Sequence, residues 1–253
     1  MKRGKFIKII RFFLIIFLVA SIMYITYSFW NSKIEQKETD ELLNTVIVSS
    51  EAESVETQRI IEVKALQEQY PDVKAWIEIE GTNINYPVMQ KEDNDFYGNH
   101  DYKGEQSKRG SIFLDKSYDW SIPSSNLLIY GHNNSKDGTM FADLLKYKDE
   151  KFYKEHPIIR FATAKEDSEY EIIAVFKSRI FYKSEKDMYR WYYFINAKNE
   201  EEYIEYINFA KRESLYDTGK TASFGEQLIT LVTCEYSVED GRLGVVARKK
   251  VYE

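Results

Sequence analysis

The chain has 253 residues, room for one large or two small domains with a sizeable core. Its apolar fraction of 43% and charged fraction of 30% make a globular balance, and a net charge of −6 argues against a broad basic surface for nucleic acid. One cysteine, Cys234, and three histidines, His100, His132 and His156, with no HExxH or HxxxH pair, exclude a disulfide framework and argue against a zinc site; no metal and no cofactor is expected.

Lys2, Arg3, Lys5, Lys8 and Arg11 make residues 1–11 a basic tail. Residues 12–30 then run without a charge, ~28 Å as a helix, close to the hydrocarbon thickness of a bilayer. Tyr24, Tyr27 and Trp30 gather toward its far end, where amphipathic rings favour the interface. A cleaved signal peptide needs a shorter apolar run and a small-x-small site, and the only small pair, Ala20-Ser21, lies mid-run, so an uncleaved anchor is the better reading. The expectation is a single-pass cell-membrane protein touching lipid through residues 12–30, with a cytoplasmic amino terminus and the remainder extracellular. Residues 31–53, acidic and without Gly or Pro, read as a stalk whose Ser50-x-x-Glu53 is a possible capping box; residues 54–253 form the folded extracytoplasmic domain.

Ile60, Val63, Leu66 and Tyr70 fall at helical spacing until Pro71 stops the run. The period then becomes two: Ala75, Ile77 and Ile79, then Ile84, Tyr86 and Val88, flank a Gly81-Thr82 turn. Residues 111–114, 126–130, 157–162, 170–177, 227–234 and 243–249 read as further strands. Eight short strands with few long helices favour a closed or nearly closed β-barrel. Helices are expected over 139–147, with Phe141, Leu144 and Leu145 on one face, and over 199–213, whose acidic start and basic end suit the helix dipole. The second lies in an insertion, about 179–225, long enough to be functional.

In Gln227-Leu-Ile-Thr-Leu-Val-Thr-Cys234, pleat alternation puts Leu228, Thr230, Val232 and Cys234 on one face, with the thiol at the strand's end. Most free cysteines are small buried hydrophobes, and this segment alone leaves that reading open. His132 follows an apolar run directly, in the Gly- and Asn-rich loop Tyr130-Gly-His-Asn-Asn134; taken alone it is equally well an exposed loop histidine. Arg242 opens the last strand, and a turn after Cys234 would fold it back beside the thiol; by itself it also reads as a solvated arginine. His100 and His156 lack such settings.

Together these residues resemble the sortase family. Thr230-Leu-Val-Thr-Cys234 looks like its TLxTC signature, Tyr130-Gly-His-Asn133 matches its histidine motif, and Arg242 falls where its arginine belongs, with 102 residues between His132 and Cys234. The segments Asp93-Asn-Asp-Phe-Tyr97, Asn99-His-Asp-Tyr102, Gly110-Ser-Ile-Phe-Leu-Asp115 and Asp137-Gly-Thr-Met-Phe141 are most similar to class B. The resemblance implies a mostly β fold: an eight-stranded sortase barrel with an amino-terminal helical extension and a helix in the insertion between strands six and seven.

It also implies a cysteine transpeptidase of Gram-positive cell walls, which cleaves the sorting signal of secreted proteins after a threonine and passes the acyl group to a peptidoglycan amine. An ordinary thiol is only a few per cent ionised at neutral pH, so His132 is expected to promote the Cys234 thiolate and then to shuttle the proton. Arg242 is expected to hold the oxyanion and the signal peptide. Asn94 and Tyr130 match class B positions near the bound signal. Gly98 stands where a leucine is common, and Val232 where a serine is often found, so the signal sequence is not carried over. The aromatic run Tyr189–Phe194 reads either as groove lining or as core packing, and Glu235, Glu239 or Asp240 as a third member beside His132 or as solvated acids.

Papain-like and L,D-transpeptidase-like enzymes fit poorly, since the first puts its cysteine early and the second uses a compact Ser-His-Gly-Cys cluster. A membrane-tethered binding or sensory module without catalysis explains barrel and anchor but not the coincidence of His132, Cys234 and Arg242.

Overall fold

The computed structural model describes residues 13–27, 30, 33–34, 37, 55–122 and 124–251. The chain divides into two units, Met1–Glu51 and Ala52–Glu253. In the first, residues 13–27 are helical, as are residues 30, 33–34 and 37. Among the described residues no helix is long and apolar enough to cross a membrane. The expected single-pass anchor at 12–30 is therefore corrected, and with it the cell-membrane location, the lipid contact and the cytoplasmic and extracellular assignments. The basic tail 1–11, the Ser50–Glu53 capping box and nearly all of the stalk 31–53 lie outside the described residues.

In the second unit eight strands close into a barrel, as the alternating apolar pattern predicts. The strands of the unit are β1 (Val73–Glu78), β2 (Asn85–Met89), β3 (Ile112–Leu114), β4 (Asn126–Tyr130), β5 (Asn133–Asn134), β6 (Thr139–Met140), β7 (Ile158–Thr163), β8 (Asp167–Arg179), β9 (Leu228–Cys234) and β10 (Gly241–Lys249). The barrel runs β1-β2-β3-β4-β9-β10-β8-β7, while β5 and β6 form a separate ribbon. Only β2 with β3 and β4 with β9 are parallel among its neighbours. Closure removes exposed sheet edges and lets 41 buried apolar side chains join one core.

The Gly81 turn joins β1 to β2, with Ile79 N–H donating to the Ile84 carbonyl at 2.9 Å. Glycine is required there: φ is +77°, and a Cβ would lie 2.1 Å from His156 Cε1. The helix α1 (Val55–Gln69) packs on β1, β7 and β8, burying Val63 and Leu66 at the predicted spacing.

Residues 139–147 depart from the helical expectation. Met140 takes φ +56°, Thr139 is tied to the Asp137 carboxylate at 2.6 Å, and Thr139–Met140 pair with Asn133–Asn134 as β6. Only from Ala142 does a 3-10 helix form, to Lys148, so ribbon pairing overrides the local period. It leads into α2 (Glu150–Glu155), not anticipated, capped by the Asp149 carboxylate accepting from Lys151 N–H at 2.9 Å.

The insertion between β8 and β9, the sixth and seventh barrel strands, carries α3 (Glu200–Arg212), capped by Asn199 accepting from Glu202 N–H at 2.9 Å. Tyr206 of α3 reaches Thr230 of β9 at 2.6 Å, and Thr230 donates to Asn126 of β4 at 2.9 Å. Of the aromatic run, Trp191, Tyr192 and Phe194 are buried, with Trp191 edge-on to Phe176 at 5.0 Å and Phe194 stacked on Tyr206 at 4.2 Å. These rings pack the insertion onto the barrel; Tyr193 alone of residues 191–194 is exposed.

Candidate active site

Cys234 is the last residue of β9, and Arg242 sits directly opposite it on antiparallel β10. Opposed residues of an antiparallel pair project to one face with Cβ atoms about 4.5–5.5 Å apart, so thiol and guanidinium share a side of the sheet. The connecting loop is tight: Glu235 N–H donates to the Gly241 carbonyl at 2.9 Å, and Asp240 takes φ +53°. Glycine is needed at 241, where a Cβ would lie 2.1 Å from the Glu235 carbonyl oxygen. Cys234 is a free, partly exposed thiol rather than a sealed core residue.

His132 reaches the same rim from the other side of β9. Parallel β4 pairs Tyr130 with Val232, so His132 and Cys234 each lie two residues past that shared rung. The ring is held by the Gly98 carbonyl, 2.6 Å from Nε2. A carbonyl only accepts, so Nε2 carries a proton, and in the neutral ring Nδ1 is then the basic nitrogen. A Cβ at Gly98 would meet nothing within 4 Å, so the glycine leaves open space beside the histidine. Val232, the other departure from the class B pattern, is buried.

None of the loop acids is bonded to His132. Glu235, the residue after Cys234, is buried, paired with Lys148 at 2.5 Å and Lys177 at 3.3 Å and bonded by Ser237. Burial pushes its carboxyl up, but the hydrogen bonds from Lys148 and Ser237 outweigh that and hold it down at about 2. Glu239 faces Tyr182, and Asp240 receives Ile180 N–H at its carbonyl. The orienting group is instead a main-chain oxygen, which leaves no mark in a sequence beyond its glycine.

Asn94 and Tyr130 meet at one carboxylate. Asn94 Nδ2 donates to Asp115 Oδ2 at 2.8 Å, and the Tyr130 hydroxyl donates to the same oxygen at 3.2 Å. Asn94 Oδ1 accepts from Lys116 N–H at 2.8 Å. Burial first, then the Asp115 charge, raise the Tyr130 hydroxyl far above the usual phenol range, while Arg242 acts on it in the opposite sense, so Arg242 lies within electrostatic reach. Asp115 was not singled out from the sequence; its signal was an acid ending a short apolar strand.

His100 stacks on Phe96 at 3.9 Å and bonds the Phe96 carbonyl, and His156 ends α2 against Gly81, so both are structural. Among the described residues no cluster of three or more His, Cys, Asp or Glu is arranged to hold a metal.

Comparison with known proteins agrees with this architecture. The family profile described as Sortase domain matches residues 77–250. Sortase B of Listeria monocytogenes is 37% identical over 186 residues, covering 72% of this chain and 71% of that protein. Sortase B of Staphylococcus aureus is 28% identical over 252 residues, 98% of each chain. The crystal structure of sortase B from B. anthracis superposes with a TM-score of 0.72 at 32% identity, covering 87% of this chain and 98% of that one.

Proposed function

The chain belongs to the sortase family, with class B relatives, and is a cysteine transpeptidase of cell-wall anchoring; from that premise we propose that Cys234, His132 and Arg242 carry the reaction, through a thioester formed at a threonine of the sorting signal. The register that opposes Arg242 to Cys234, with His132 two residues past the neighbouring rung, is the observation that supports this reading. All three residues fall within 54–253, which we take as the catalytic domain.

The Cys234 thiolate attacks the threonine carbonyl carbon, and the C=O electron pair moves to oxygen. Arg242, charged at every relevant pH, faces that oxyanion. Collapse breaks the C–N bond as the His132 imidazolium gives its proton to the leaving amine, and the thioester remains. A peptidoglycan amine then attacks the thioester carbonyl, His132 takes its proton, and the new amide forms as sulfur leaves as thiolate. Asn94 and Tyr130, joined by Asp115, contribute a wall for the signal peptide.

The test is incubation with a pool of threonine-containing sorting peptides, read by mass spectrometry. The expected result is an acyl adduct on Cys234 that is absent from Cys234→Ala; a wild-type enzyme that turns over without such an adduct, or a Cys234→Ala variant that still transfers, overturns the assignment.

A further inference from the structure

The parallel β4/β9 ladder ends, as backbone pairing, at Tyr130 and Val232, with one further main-chain bond from Gly131 N–H to the Val232 carbonyl at 3.1 Å. Continued by the same rule, the next rungs would fill the Gly131 and Cys234 carbonyls from main-chain amides on the facing strand. The chain instead turns after Gly131 to make the β5/β6 ribbon, and two side chains occupy those acceptors. Thr233 Oγ1 donates to the Gly131 carbonyl at 2.8 Å, and Asn133 Nδ2 donates to the Cys234 carbonyl at 3.0 Å. Both side chains are buried.

Asn133 holds that bond while leaving its own Oδ1 buried and without a hydrogen-bond partner. A buried polar atom left unpaired is unfavourable and calls for a reason beyond stability. Here the reason is placement: His132 is threaded between Gly131 and Asn133, so the two substitute rungs flank the histidine and are fastened to the strand end that carries the thiol. The base of Asn133 is itself fixed by pairing with Met140 in the ribbon.

We propose that Asn133 and Thr233 are positioning residues that carry the β4/β9 ladder past its last backbone pair and thereby set His132 against Cys234. This rests on the reading of Cys234 and His132 as nucleophile and proton carrier. A misplacement of about 1 Å in such a pair costs roughly 10²-fold in rate. Asn133→Ala and Thr233→Val should each lower kcat by about 10–100-fold with KM within about threefold, and slow Cys234 alkylation by iodoacetamide at pH 7. Thr233→Ser, which keeps the hydroxyl, should recover most of the rate.

The peptide is the member of the threonine pool that acylates wild-type Cys234 fastest, and circular dichroism confirms folding of each variant. If Asn133→Ala fails to fold, the near-isosteric Thr233→Val decides alone. A folded variant with kcat within threefold of wild type and an unchanged iodoacetamide rate overturns the proposal, as does a loss confined to KM. Absence of any wild-type acyl adduct is a different result: it removes the reading of the nucleophile, while the iodoacetamide rates still report whether the two side chains set its reactivity.

Discussion

Position, more than charge, supports the role proposed for Arg242. Its strand fixes it opposite Cys234, and its planar fork offers donors that a lysine does not reproduce. Arg242→Ala should lower kcat/KM by about 10²–10³-fold, the usual cost of one oxyanion donor, and Arg242→Lys should not restore it. Full activity in the lysine variant, measured with the same peptide, would exclude a role for the planar fork. Asp115 acts one step back, through the two side chains it joins. Asp115→Asn keeps the size but weakens the shared acceptor for Asn94 and Tyr130. It should raise KM by about tenfold with kcat within threefold, the signature of lost binding common to ground and transition states; a fall in kcat alone would place Asp115 in the chemistry instead.

Among the elements, α3 is tied to the barrel wall by a buried polar chain, Tyr206 to Thr230 to Asn126 to the Phe194 carbonyl. Thr230→Val keeps the shape but strips the shared hydroxyl from both neighbours. It should cost about 1–3 kcal/mol in urea denaturation, with Tyr206→Phe recovering part of the loss by removing the orphaned partner. The β1/β2 turn offers a second check. Gly81→Ala must adopt a left-handed backbone and displace His156, so it should destabilise by about 1–3 kcal/mol, visible as a lowered thermal midpoint. A neutral result would mean the turn relaxes away from His156.

For the whole molecule, acid stability gathers at Glu235. Its carboxyl titrates at about 2 in the folded state against an ordinary 4.5, so the folded protein favours the charged form. The stability this contributes is fully present above about pH 4.5 and is lost as pH falls through about 2, on the order of 3 kcal/mol. Glu235→Gln should flatten that part of the stability curve in urea melts between pH 5 and 2.5; an unchanged slope would assign acid unfolding to other carboxylates. Because the salt bridges run from Glu235, just past β9, to Lys148 of the 3-10 helix and to Lys177 of β8, which neighbours β10, they brace the loop between Cys234 and Arg242.

The eight strands, the Gly81 turn and α3 were legible because each is written locally, in a two-residue period, in turn residues, or in the acidic start and basic end of a helix. So were the order and spacing of His132, Cys234 and Arg242, which a resemblance can match without coordinates. The 139–147 segment was misread because Thr139–Met140 pair back on Asn133–Asn134 in a ribbon, a pairing that the apolar spacing of Phe141, Leu144 and Leu145 does not reveal. The Gly98 carbonyl on His132, the Lys148 ammonium on Glu235 and the Asn133 amide on Cys234 join residues 34, 87 and 101 positions apart. Composition and pattern therefore determined which segments become strands, and the resemblance singled out the side chains proposed to carry the chemistry. Tertiary packing alone decided which carbonyl holds the imidazole, which acid is buried away from it, and which side chains continue a ladder that the backbone abandons, because such contacts join loops, turns and strand ends far apart in the chain and leave no period along it.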